Sequence, residues 1–312
     1  MMRHATLHQL KIFQVVARHL SFTRAAEELY LTQPTVSIQI KQLTQIVGLP
    51  LLEQVGKRVF LTGIGRELLS VCHNMFEGLS RFEMVVADMK GVKAGKLQLG
   101  VITTAQYFVP RLLGPFCEKF PGIDVSIKVV NRERMLQRIT DNEDDLYILG
   151  QPSEQMDVWV KPFLNNPLVV IAPASHPLAA SKSISPQRIA EEPFLMREWG
   201  SGTRLATEWF FNERNLPLKI RMELGSNEAI KQAVAGGLGI AVLSAHTLAL
   251  EKIGDELTVL DVQGFPIMRQ WHVAHSKGKQ LSVVANTFLE FLLQESKAIA
   301  QHHLPQTVHD FA

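Results

Sequence analysis

The sequence predicts an α+β multidomain chain in three parts: a small basic helical module with a hairpin, one long helix, and a larger α/β region of two lobes. Three observations carry this. Residues 1–66 hold eight Lys and Arg against three acids, a local charge of +5 on a chain whose total is +2. Residues 66–90 run without a proline and repeat apolar side chains every seven residues. Beyond Gly95, apolar strands alternate with helical segments, which implies α/β architecture with mostly parallel sheets. At 312 residues the length favours two domains over one.

The first module builds from three helices. Leu10, Phe13, Val16, Ala17 and Leu20 mark the apolar stripe of the first. Residues 21–29 read as a shorter one, in which Ala25 and Ala26 let a neighbour cross closely while Leu29 and Leu31 seal the corner. Val36, Ile40, Leu43 and Val47 then recur at spacings of four, three and four, one face of a third helix. Thr32 caps its start, Pro34 sits in the first turn where no N–H is needed, and Gly48 ends it. The opposite face offers Gln33, Thr35, Ser37 and Lys41. Amide, hydroxyl and ammonium groups at a helix start suit the DNA major groove, where Gln pairs with adenine and Ser or Thr reaches bases or phosphates. Two short helices joined by a tight turn make a helix-turn-helix. Residues 51–62 carry Gly56-Lys57-Arg58 between apolar flanks, a hairpin tip with two cations shaped to reach phosphates or a minor groove. The module is therefore a winged helix-turn-helix.

In the long helix, Leu68, Cys72, Met75, Leu79, Phe82, Val86 and Met89 form a coiled-coil seam, and a dimer would present two reading heads to two half-sites. Gly63-Ile64-Gly65 reads as a turn before it, and residues 91–95 as the linker that ends it. Strands follow at 97–102, 123–130, 146–149, 168–172, 194–196, 221–224, 240–243 and 271–274, separated by helices. That many units favour two small lobes over one sheet. In such folds ligands sit beyond the carboxyl ends of strands, where helix N-termini present free N–H groups. Several strands here end in small polar residues: Thr103-Thr104, Asn131-Arg132, Gly150-Gln151, Ser201-Gly202-Thr203 and Ser226-Asn227. Each alone reads as a helix cap, but five together make a pocket. Arg197 and Arg204 flank one of these turns and could converge with the hydroxyls on a small anion, a carboxylate or phosphate.

Other classes find no support. Cys72 and Cys117 sit in apolar helical patterns without metal-ligand spacing and read as buried, reduced thiols. His302-His303 in the tail reads as surface, not a metal site. Lys11, Arg18 and His19 interrupt any signal peptide, and residues 234–250 are too short and glycine-broken for a membrane span, so a cytoplasmic protein is expected. No hydrolase, zinc-peptidase, nucleotide-loop or dinucleotide motif occurs, so no catalysis is expected.

Ser21-Phe22-Thr23-Arg24-Ala25-Ala26, Leu31-Thr32-Gln33-Pro34-Thr35-Val36-Ser37, Lys41-Gln42-Leu43, Leu61-Thr62 and Gly65 together resemble the LysR-type transcriptional regulators, along nearly the whole chain. The resemblance implies a winged helix-turn-helix over 1–65, a dimerising linker helix and hinge over 66–94, and an effector domain over 95–312. That domain would be two-lobed like periplasmic binding proteins, with lobe I near 95–167 and 270–300 and lobe II near 168–269. It further implies homodimers and tetramers on double-stranded promoter DNA, and it allows RNA polymerase as a partner. The DNA contacts would be Arg24, Gln33, Pro34, Thr35, Ser37, Lys41, Lys57 and Arg58. The effector contacts would be Thr103, Thr104, Asn131, Arg132, Gln151, Arg197, Ser201, Gly202, Thr203 and Arg204. Three positions depart from the pattern. Ile64 replaces an Ala. Gln54 replaces a wing Arg, leaving Lys57 and Arg58 to grip phosphate. Ile38 stands where an Arg often follows the serine, which counts against a direct base contact there.

Phe120-Pro121-Gly122 and residues 144–152 (Asp-Asp-Leu-Tyr-Ile-Leu-Gly-Gln-Pro) are similar to the carbon-fixation regulators (CbbR type) and the related activators of bicarbonate uptake. This implies an activator of inorganic-carbon assimilation genes with no cofactor. Its co-inducer would be a small phosphorylated metabolite such as ribulose 1,5-bisphosphate or 2-phosphoglycolate. Held between the lobes, it would change their angle and so, through the linker helices, the spacing of paired reading heads. Two rival readings are a LysR-type regulator with a carboxylate effector, and a soluble solute-binding protein or α/β enzyme with a fused helical arm.

Overall fold

The computed structural model describes residues 5–56, 58–89, 93–152, 156–249, 251 and 255–301. They form two compact units, Met1–Val86 and Ala87–Ala312. Lys57, residues 90–92 of the linker and His302-His303 lie outside the described residues.

In the first unit, α1 (Leu7–His19), α2 (Phe22–Leu29) and α3 (Gln33–Val47) pack around Ile12, Phe13, Val16, Ala25, Val36 and Leu43, all fully or almost fully buried. Each helix begins where its sequence places a hydroxyl: Thr6, Ser21 and Thr32 accept from the backbone three residues on. Gly48 closes α3 with a φ of +79°, a left-handed conformation that costs glycine nothing. The hairpin pairs β1 (Leu52–Val55) with β2 (Arg58–Leu61), antiparallel, and turns at Gly56 with a φ of +62°.

The long helix α4 (Gly63–Met89) differs from expectation at its start. Gly63-Ile64-Gly65 is no separate turn but the helix's first turn, capped by Thr62, whose hydroxyl accepts from Gly65 N at 3.0 Å. Gly65 is required by space: a Cβ there would lie 2.0 Å from the Leu51 carbonyl oxygen at the base of the hairpin. The predicted seam is also divided. Leu68 and Cys72 belong to the core of the module itself, with Met75 packed against it. Further along, Leu79 and Phe82 are exposed and Val86 is half-buried.

The second unit holds α5 (Val109–Lys119), α6 (Arg132–Thr140), α7 (Pro186–Ala190), α8 (Gly202–Asn212), α9 (Asn227–Ala235) and α10 (Val283–Gln301). Its strands are β3 (Gly95–Ile102), β4 (Ile123–Val130), β5 (Leu146–Leu149), β6 (Val158–Pro173), β7 (Pro193–Arg197), β8 (Lys219–Leu224), β9 (Ala241–Ser244), β10 (Leu257–Leu260) and β11 (Ile267–Ser276). One sheet runs β10-β6-β11-β5-β3-β4, with β9 also on β6; β7 and β8 form a separate parallel pair.

The expectation of mostly parallel sheets is corrected. β3 pairs in parallel with β4 and β5, but β11 is antiparallel to both β5 and β6, and β6 is antiparallel to β9 and β10. The reason is topological. β6 carries the chain from one lobe into the other and β11 brings it back, so the two connecting strands must run oppositely. Each lobe keeps its own core: Phe116 meets Phe288 edge-on at 5.0 Å in the first, and Phe194, Phe210, Phe211 and Ile240 are buried in the second. The cysteine expectation holds for Cys72, whose thiol burial pushes up to about 11, but Cys117 is exposed. No described helix is long and apolar enough to cross a membrane.

Candidate functional site

Two surfaces bring the sequence-predicted residues together, one in each unit. On α3, the Thr32 and Thr35 hydroxyls are bonded to each other at 2.8 Å, and Gln33 Nε2 donates to Ser37 Oγ at 2.9 Å. These short-range bonds fix side chains that would otherwise be free rotors, while leaving Gln33, Pro34 and Lys41 exposed. Three cations of the module, Arg24 on α2, Lys41 on α3 and Arg58 on β2, are exposed and make no ion pair among the described residues. On α1–α3, Glu28 is the acid that is paired among the described residues. It is bonded to His19 and Arg18, which hold its carboxyl below the usual range. The module thus exposes three cations without ion pairs among the described residues, together with the oriented polar groups of α3.

In the second unit an open cleft forms where the carboxyl ends of β3 and β5 meet the N-termini of α6 and α8. Thr103 and Thr104 come from the end of β3, Gly150 and Gln151 from the end of β5, and Arg132 opens α6. Ser201, Gly202 and Thr203 form the start of α8. The connecting strands supply the floor: Asn166 and Leu168 from β6, Arg269 and Trp271 from β11. Trp271 is buried, and its indole N–H has no hydrogen-bond partner among the described residues.

The two guanidinium groups of this cavity stand out by what they lack. Arg132 reaches only the Gln151 carbonyl oxygen, at 3.3 Å, and Arg269 has no ion pair among the described residues. Burial lowers the pKa of Arg132, and burial together with the charge of Arg132 lowers that of Arg269. Two half-buried like charges share one cavity. Two aligned helix N-termini add to the positive field. A small anion of two negative charges complements this arrangement.

Seven of the ten predicted effector residues line the cavity: Thr103, Thr104, Arg132, Gln151, Ser201, Gly202 and Thr203. The other three do not. Asn131 caps α6, its side chain accepting from Arg134 N at 2.9 Å. Arg197 is spent on Glu198, at 2.7 and 2.9 Å, and on Asn227 and Thr103. Arg204 is held by Glu208 at 2.8 Å, Glu223 at 2.5 Å and the Arg197 carbonyl at 2.9 Å, with its guanidinium stacked 3.8 Å over the Trp199 ring. A buried arginine must find carboxylates, and these two found theirs inside the protein. Arg269, Asn166 and Trp271 were missed, because a single polar residue in a strand carries no local signal of a distant pocket.

Comparison with known proteins agrees with this geometry. The model for the bacterial regulatory helix-turn-helix protein, lysR family, matches residues 7–66, and that for the LysR substrate binding domain matches residues 90–297. The HTH-type transcriptional activator CmpR of Synechocystis is 52% identical over 299 residues, covering 96% of this chain and 98% of the relative. The RuBisCO operon transcriptional regulator of Acidithiobacillus ferrooxidans is 51% identical over 294 residues, covering 94% and 95%. Among solved structures, the Synechocystis CcmR regulatory domain in complex with 2-PG is 55% identical with a TM-score of 0.63, covering 65% of this chain and 97% of that one. A DNA-reading module and a two-lobed ligand-binding domain on one chain, matched along both, make this protein a member of the LysR family: a DNA-binding transcriptional regulator and not an enzyme.

Proposed function

We propose that this chain activates inorganic-carbon assimilation genes from the cytoplasm and is controlled by a small phosphorylated metabolite of the 2-phosphoglycolate class. The observation that carries the ligand assignment is the Arg132–Arg269 pair, two guanidiniums on one cavity with no carboxylate partner among the described residues. Arginine forks match phosphate oxygens two at a time. The same class of ligand is bound by the CcmR regulatory domain, and relatives half identical to this chain regulate RuBisCO operons. In this reading residues 1–65 read DNA, 66–94 join two copies along a seam in which Leu79 and Phe82 are exposed, and 95–312 sense the metabolite. Gln33, Pro34, Thr35 and Ser37 face the major groove, and Arg24, Lys41 and Arg58 meet phosphates. The ligand acts by its differential affinity for two arrangements of the lobes.

The test is a thermal shift of the full chain with 2-phosphoglycolate and, separately, with glycolate. At a hundred times its dissociation constant the phosphorylated compound stabilises the fold by about 2.7 kcal/mol, and glycolate gives no shift. Equal shifts from both would remove the phosphate assignment while leaving the family untouched. For the DNA face, Arg58→Ala lowers affinity for all sequences and reduces the salt slope by about one. An unchanged slope would exclude a phosphate contact by the wing.

A further inference from the structure

We propose that the Pro34–Ile38 edge of α3 reads thymine through its C5-methyl group, beside an adenine read by Gln33. This rests on the assignment of α3 as the DNA-reading helix. At 100° per residue, Ile38 lies roughly opposite the stripe of Val36, Ile40 and Leu43, which is 0%, 6% and 0% exposed. It therefore stands at the crest of the helix, and it is 54% exposed. A lone exposed isoleucine is ordinary surface. Ile38 is not alone, because exposed Pro34 lies one turn before it on the same edge. Pro34 has no rotor and the β-branched Ile38 has a restricted χ1, so this apolar edge keeps a fixed shape.

The strip alongside is polar and equally fixed. Gln33 and Ser37 are also one turn apart, and Gln33 Nε2 donates one of its two hydrogens to Ser37 Oγ at 2.9 Å. That leaves the second amide hydrogen and Oε1, the two groups that pair with adenine N7 and N6. Ser37 thus acts as a positioning residue for the amide. An A·T base pair offers the major groove those two adenine positions on one side and a methyl group on the other. Paired polar and apolar strips on one helix face match that pattern. The departure from the family motif at Ile38, which counted against a base contact, becomes a contact of a different kind.

The experiment selects DNA from a random duplex pool with the full-length protein, then replaces each thymine of the selected site by uracil, which removes only the methyl. Binding is measured with the native protein and with Ile38→Ala, whose melting temperature checks that the fold is kept. One thymine per half-site is expected to lose about fourfold in affinity on replacement, the value of one buried methyl-sized group. The same replacement should cost Ile38→Ala almost nothing. Ser37→Ala should relax the preference for the neighbouring adenine. If every uracil leaves affinity within about twofold, or costs both proteins equally, the methyl contact is absent although α3 still reads DNA. If the native protein selects no sequence, the reading of α3 itself falls.

Discussion

Arg197 and Arg204, and beside them in the second unit Arg132 and Arg269 of the cavity, are the same residue type placed on opposite terms. The first two are 2% and 4% exposed and surrounded by Glu198, Glu208 and Glu223. The second two are half-buried on a cavity and meet no acid among the described residues. Internal carboxylates turn an arginine into a fastener of the fold. Their absence leaves an arginine available to something that arrives. In this domain the presence of an arginine near a strand end says little, and the location of its counter-charge says nearly everything.

Three measurements would break or sharpen that contrast. The largest effect is expected from Arg197→Ala, which leaves buried Asn227 and half-buried Glu198 without their partner and should cost about 3 kcal/mol of stability. Chemical denaturation of the full chain would show it, and a variant as stable as the native protein would mean the cluster is no fastener. Next, Arg132→Gln and Arg269→Gln should each weaken binding of 2-phosphoglycolate tenfold or more, about the value of a charged hydrogen bond. The ligand-free melting temperature should stay level or rise, since one of two like charges is gone; calorimetry and a thermal scan report both. A fall in stability without loss of binding would reverse the roles. The smallest effect concerns pH. His246 and His272 are both held below the ordinary 6.5 by burial. The unfolded chain takes up those protons first as acid is added, so their contribution is intact above pH 6.5 and declines below it. A melting temperature constant between about pH 7.5 and 5.5 would deny this burial cost, and His246→Gln should flatten part of the slope.

How far the sequence could be read follows the same division between local and distant causes. The third helix was legible to the residue because Thr32 and Gly48 are local signals. The strand at 123–130 was legible because its apolar residues alternate cleanly. β6 was seen only over its last turn of buried residues, since Lys161, Pro162, Asn165 and Pro167 disguise a strand that runs for 16 residues. β10 was missed altogether, its four residues too few to show a period. The cavity followed this rule too. Its strand-end hydroxyls and Arg132 carry local signatures. Arg269 lies on β11, and only the return of the chain across both lobes brings it to the same space. Cys72 and Leu68 show the converse: a seven-residue repeat predicts one seam, but its first turns are taken by the nearest core.

The bare Cα of Gly65 has a mechanical consequence. With the Leu51 carbonyl pressed against it, the base of the wing is riveted to the first turn of α4. The hairpin therefore cannot swing independently, and the helix acts as its lever arm. A helix of 27 residues is about 40 Å long. A tilt of about 5° imposed at its far end carries the near end through roughly 3.5 Å, close to the rise of one base pair, about 3.4 Å. Small rotations at the end of α4 thus become displacements of the hairpin on the scale of one base-pair step.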